Sequence, residues 1–86
     1  MDDSVTIREF EHLAHRLGIE IRYTGDGPSG LCTLKGKKVL FIERGLDMSS
    51  RVALFVREFK ALDLEGIFVV PLIRRLLDLH DQSQNW

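Results

Sequence analysis

Residues 30–66 read GLCTLKGKKVLFIERGLDMSSRVALFVREFKALDLEG, and their pattern decides the fold. Two apolar runs flank a Lys-Gly-Lys turn at Lys35, Gly36 and Lys37, which is a hairpin signal. The second run, VLFI at 39–42, is apolar on both faces and predicts a central strand covered, or nearly so, on both sides. Gly45 ends the hairpin and Asp47 stands at an N-cap position, so a helix is predicted over 48–62. Along it Val52, Phe55, Val56, Phe59 and Leu62 make a broad apolar face, with Leu54, Arg57, Glu58 and Ala61 on a side stripe. Burying each large side chain fully contributes about 1.5–3 kcal/mol, which makes this helix the anchor of the core.

Outward from that unit, Thr6 and Glu9 form a capping-box pair with Ser4 as a competing cap. Ile7, Phe10, Leu13, Ala14 and Leu17 then recur at helical spacing, predicting a helix over 6–17 that stops at Gly18. Ile19, Ile21 and Tyr23 alternate with Glu20, Arg22 and Thr24, the period of a strand with one buried face, 19–24. The stretch TGDGPSG at 24–30 is a loop. Its glycines lack the following helix and Lys-Ser/Thr pair of a phosphate cradle. After Gly66, IFVV at 67–70 is extended and apolar, and Pro71 suits the first turn of a last helix, 71–80. Leu72, Ile73, Leu76, Leu77 and Leu79 are its apolar face. The expected fold is a single α+β domain, 1–86, with a frayed tail at 81–86. Its antiparallel sheet of about three strands (19–24, 31–35, 38–43) packs with helices 6–17, 48–62 and 71–80. Whether 67–70 joins the sheet or crosses the core stays open in the pattern.

Charge narrows the classes of partner. Twelve Lys and Arg stand among thirteen Asp and Glu, a net charge of −1. A nucleic-acid binder gathers many phosphate-neutralising cations on one face, so no nucleic acid is expected as partner, and no membrane. The longest apolar runs are too short to span a bilayer. The single cysteine, Cys32, leaves no disulfide framework and fits a reducing compartment. The start MDDSVTIREF is acidic and unlike a secretory signal. A cytoplasmic location is expected.

The succession of helix, Leu17-Gly18-Ile19 turn, strand, glycine-rich loop, hairpin, and helix after LDMSSR resembles the start of zincin-like metallopeptidases of the ImmA/IrrE type. The resemblance spans about the first two-thirds of the chain. It implies an H-E-x-x-H motif on the helix after the hairpin, which falls here on Arg57-Glu58-Phe59-Lys60-Ala61. The glutamate matches and both histidines are missing. Catalytic zinc needs about three protein ligands; Arg57 would repel the ion and Ala61 has no donor. Glu58 alone acts as a general base only on water that something else activates. Its plainer role is a rim carboxylate paired with Arg51, Arg57 or Arg74. The pattern G-L-C, G-K, V-L-F-I, L-D-L-E-G-I-F is also similar to small bacterial proteins, a likeness that carries no activity with it.

Other candidates are weaker. His12 and His15 lie one helical turn apart and could share a metal, but both fall opposite the apolar stripe. His80 suits the end of the last helix. Cys32 is expected buried and inert, with only Lys38 in reach to activate it. Lys35, Lys37, Lys38 and Arg44 read as a basic patch around the hairpin, either solvated or a docking patch for an acidic partner. Arg57 and Glu58 complete the candidate binding residues. No cofactor is implied. The expected function is a non-catalytic protein-interaction or scaffold domain whose partner is another protein or a second copy. Leu54, Ala61, Val70 or Trp86 would form its exposed apolar patch. The alternative is a degenerate zincin-like domain that binds a peptide along 31–34 or 19–23, or a hydrolase using Glu58.

Overall fold

The computed structural model describes residues 2–79 as a three-stranded sheet with three helices. The order is α1 (Asp3–Arg16), β1 (Glu20–Thr24), β2 (Gly30–Leu34), β3 (Lys37–Glu43), α2 (Met48–Lys60) and α3 (Pro71–Leu76). The expected α+β class holds.

Helix α1 starts three residues before the expected position. Asp2 takes the cap, its Oδ1 accepting from Ser4 N at 2.9 Å. Thr6 turns inward instead, 1% exposed, and its Oγ1 donates to Asp2 O. A carboxylate at the N-cap also meets the positive end of the helix dipole. The helix ends as expected at Gly18 (φ 74), with Ile19 N donating to Ala14 O and Gly18 N to His15 O. That paired closure needs a left-handed residue, which glycine adopts without strain.

Strands β2 and β3 form the expected hairpin. Its two turn residues, Lys35 (φ 51) and Gly36 (φ 82), are both left-handed, matching the twist of the flanking strands. The sheet is mixed, however, and not antiparallel throughout. Its order is β1-β3-β2, with β1 parallel to β3 and β2 antiparallel to it. The loop after β1 passes over the C-terminal end of β3 and starts β2 on the far side, leaving β3 to fill the middle. Two bonds fasten that crossing: Arg44 N donates to Thr24 O at 2.8 Å, and Glu43 N to Ser29 Oγ at 2.9 Å.

The central position of β3 explains its apolar sequence. Leu40 and Ile42, both 0% exposed, belong to the core cluster under the helices. Val39 and Phe41 have the opposite parity and lie outside that cluster. Val39 is nonetheless buried, 1% exposed, and Phe41 is half-buried. Strand β3 is therefore covered, or nearly so, on both sides as expected, although the core cluster under the helices lies on one face. In the core, Phe10 stacks on Phe55 at 5.0 Å between centroids, and Phe59 meets both edge-on at 5.4 and 5.9 Å.

On α2, capped by Asp47 as expected, the buried residues are Leu54, Phe55 and Phe59. Leu54 was placed on a side stripe and offered as exposed; it is 4% exposed, in a cleft shared with Ser29 and Leu46. The β1–β2 loop and the segment before α2 cover that flank, which periodicity along one helix does not register. Ala61 is exposed and Val70 half-buried, while Trp86 lies outside the described residues.

The segment 67–70 neither joins the sheet nor crosses the core: only Val69 is buried, Val70 is half-buried, and Ile67 and Phe68 are exposed. Pro71 opens α3 as expected, yet the helix ends at Leu76, well short of 80. Asp78 takes φ 57, and Leu79 N donates back to Arg74 O at 2.9 Å, a second left-handed closure. The expected frayed tail, 81–86, and His80 lie outside the described residues.

Candidate functional site

Glu58, the residue matched to the peptidase glutamate, is engaged on both oxygens. Oε1 accepts from Leu31 N at 2.9 Å and Oε2 from Arg57 Nε at 2.9 Å. Of the three expected arginine partners, Arg57 is the one it meets. The amide of Leu31, and then Arg57, hold the carboxyl below its ordinary value. The first bond has a topological meaning. In a two-residue hairpin the residues next to the turn bond each other, so Leu34, Cys32 and Gly30 face β3. Leu31 and Thr33 then direct their amides outward, and Glu58 occupies part of that free edge.

Cys32 was expected buried; it is exposed. Strand parity puts Leu31 toward the helices and Cys32 on the opposite face. Among the described residues the helices of the core cluster pack on the other side of the sheet. Lys35, Lys37 and Lys38 cluster at the hairpin turn, with Lys37 Nζ 3.7 Å from Glu20 Oε1. Arg44 stands beyond the other end of β3, about 20 Å away at ~3.3 Å per residue, so it is not part of that cluster. His12 and His15 are exposed and line separate clefts: His12 faces Val69 and Ile73, His15 faces β1. Among the described residues no group of three or more His, Cys, Asp or Glu could hold a metal. Nor is any described helix long and apolar enough to cross a membrane.

The remaining candidate is the outer edge of β1. Because Thr24 O accepts from Arg44 N, Thr24 faces β3. Alternation then turns Arg22 and Glu20 the same way, and the main-chain groups of Ile21 and Tyr23 outward. Beside this edge runs a groove of about 600 Å³, lined among others by Glu11, His15, Glu20, Ile21, Tyr23 and Lys37. Tyr23 OH donates to Glu11 Oε2 at 2.6 Å, and the Arg51 guanidinium lies over the ring at 5.4 Å. Burial first, and then the Glu11 carboxylate, push the Tyr23 hydroxyl up to about 12. The alternation of 19–24 and its use as a possible edge were legible in sequence; which of its main-chain groups face outward, and the groove beside them, were not.

These two groups give stability a pH dependence of opposite sign at the two ends. Glu58 is depressed, so its contribution is complete above 4.5 and is lost as the pH falls below that value. Asp2 and Asp47, held low by their capping bonds, share that limb. Tyr23 is raised, so the preference for its neutral form is complete below 10.0 and is lost as the pH climbs through about 12. Urea midpoints across pH should therefore fall at both extremes. Tyr23→Phe should flatten the alkaline limb and Glu58→Gln should shrink the acid one. An alkaline limb unchanged in Tyr23→Phe would contradict the assignment.

Comparison with protein-family models, curated proteins and solved structures gave no match to this chain.

Proposed function

We propose that this chain is a non-catalytic protein-interaction domain that takes up an extended segment along the free edge of β1. The observation that carries this is the coincidence of outward main-chain groups on Ile21 and Tyr23 with the groove beside them. In strand addition the main-chain bonds supply affinity, and pockets for alternate side chains supply selectivity. Isolated edges invite such pairing. The β2 edge offers less, since Glu58 already holds the Leu31 amide. A hydrolytic role for Glu58 has weaker support, because a general base works best with a pKa near the working pH and this carboxyl is held low. The placement of Glu58 on the helix after the hairpin supports a zincin-like origin for such a peptide-binding domain. Arg57 and Ala61 then stand where histidines would be.

Selection of displayed linear peptides on the full chain tests this directly. A bound peptide is expected to shift the Ile21 and Tyr23 amide resonances most. N-methylation of alternate peptide amides, which removes donors without altering the domain, should abolish binding. Shifts confined to α3 or to the β2 edge would refute the proposal.

A further inference from the structure

We infer that the segment seated on the β1 edge is β1 of a second copy, in an antiparallel register centred on Ile21. This rests on the edge-binding function proposed above and names its partner.

Main-chain parity restricts the registers. Only Ile21 and Tyr23, with Ile19 before them, direct their groups outward. Two copies related by a twofold axis must therefore centre the pairing so that odd-numbered residues face odd-numbered ones. Centring on Glu20 sets Glu20 opposite its own copy. Centring on Arg22 sets Arg22 opposite its own copy. Both place like charges directly across the strands, which is destabilising. Centring on Ile21 instead puts Glu20 opposite Arg22 of the second copy, twice by symmetry. The segment Glu20-Ile21-Arg22 is thus its own electrostatic complement in one register and opposes itself in the two neighbouring ones.

The local geometry suits this register. Glu20 and Arg22 already lie side by side on the face opposite the helices, Nε to Oε2 at 2.5 Å, with side chains 36% and 51% exposed. Across the new boundary each finds the opposite charge at a non-hydrogen-bonded position, where side chains come closest. Ile21 exchanges both main-chain bonds with its symmetry mate. The Tyr23 amide reaches the Ile19 carbonyl of the second copy. The Ile19 amide takes no part, because it is already donated to Ala14 O at 2.9 Å. On the helix side, Ile21 meets Ile21. The product is a continuous six-stranded sheet with β2 at each outer edge, and there Glu58 occupies the Leu31 amide. A small domain also gains from pairing, since its own core is limited.

The test uses the full chain and the charge-reversed variants Glu20→Arg and Arg22→Glu. By light scattering and sedimentation the wild type is expected at twice the chain mass of 9.9 kDa. Each single variant faces like charges in the Ile21 register, and its self-association should weaken by about tenfold or more. Mixing the two variants sets opposite charges across both strands again, and a one-to-one heterodimer should form at wild-type concentrations. The double reversal within one chain should dimerise like the wild type. Lys37 neighbours Glu20 at 3.7 Å, so a variant could lose stability by itself; recovery on mixing separates register from stability. Single variants that dimerise like wild type, or a mixture that fails to recover, overturn the register. A wild type that stays monomeric up to its solubility limit overturns the second copy as occupant. If displayed peptides still shift Ile21 and Tyr23 in that monomer, edge binding stands with a different partner. If they do not, both proposals fall.

Discussion

Phe55→Ala is expected to cost the domain about 3–5 kcal/mol of stability, more than Ile73→Ala or Phe41→Ala. The ring is 0% exposed, stacked on Phe10 and edge-on to Phe59. Truncating a buried Phe to Ala costs about 3–5 kcal/mol, including the cavity left behind. Aromatic pairs add about 0.5–1.5 kcal/mol beyond the area they bury. A chain of this length holds roughly 4–13 kcal/mol in total, so one substitution removes about a quarter or more of it, and all of it only at the bottom of that range. Phe55→Leu keeps most of the volume and should cost far less. Phe41→Ala, half-buried on the opposite face and outside the core cluster, should lose less than Phe55→Ala. Urea unfolding followed by circular dichroism decides it. A loss under about 1.5 kcal/mol for Phe55→Ala would mean that the aromatic trio is not the centre of the core.

Ile73→Ala is the second large effect, and it should be largest locally. Helix α3 has six residues, too few to persist through its own hydrogen bonds. It is held by Val69, Ile73 and Leu77, all in the core cluster and at most 3% exposed. Ile73 is 0% exposed and faces Leu13 across a cleft of about 210 Å³. Its truncation enlarges a space that neighbouring side chains already fail to fill, so little relaxation is available and a cost of about 2–4 kcal/mol is expected. Hydrogen exchange should show the amides of Arg74 and Leu77, bonded to Val70 O and Ile73 O, losing protection before those of β3. Equal loss in α3 and β3 would show that α3 unfolds only with the whole domain.

Much of this fold was legible because it rests on local chemistry. Gly18 had to stop α1, Asp47 had to cap α2, and Pro71 had to open α3; each acts within one turn of chain. The hairpin was readable from Gly36 for the same reason. The start of α1 was misplaced because Thr6 and Asp2 both cap well, and the choice turned on whether Thr6 was drawn into the core. The misplaced exposures have one cause. Leu54 and Cys32 were judged from periodicity along their own elements, while their burial was set by what lies across from them. Leu54 is covered by a loop and Cys32 by nothing.

The candidate site divides the same way. Sequence named Glu58 through its resemblance, and the alternation of 19–24 as a possible edge. It could not pair Glu58 with the amide of Leu31, which is 27 residues away in the chain. It grouped Arg44 with the hairpin lysines by number, although a strand separates what neighbouring numbers join.

What the sequence alone determined is the set of elements, most of their ends, and the aromatic core, since propensity, capping and hydrophobic period act over a few residues. What only the tertiary structure decided is the order of the strands. Either strand of the hairpin could lie beside β1, and the choice falls to the long-range burial of Leu40 and Ile42 between two neighbours. With the hairpin intact, β1 is an outer strand in either order. Its parallel register with β3 is what turned Ile21 and Tyr23 outward and so shaped the surface on which the proposed function rests.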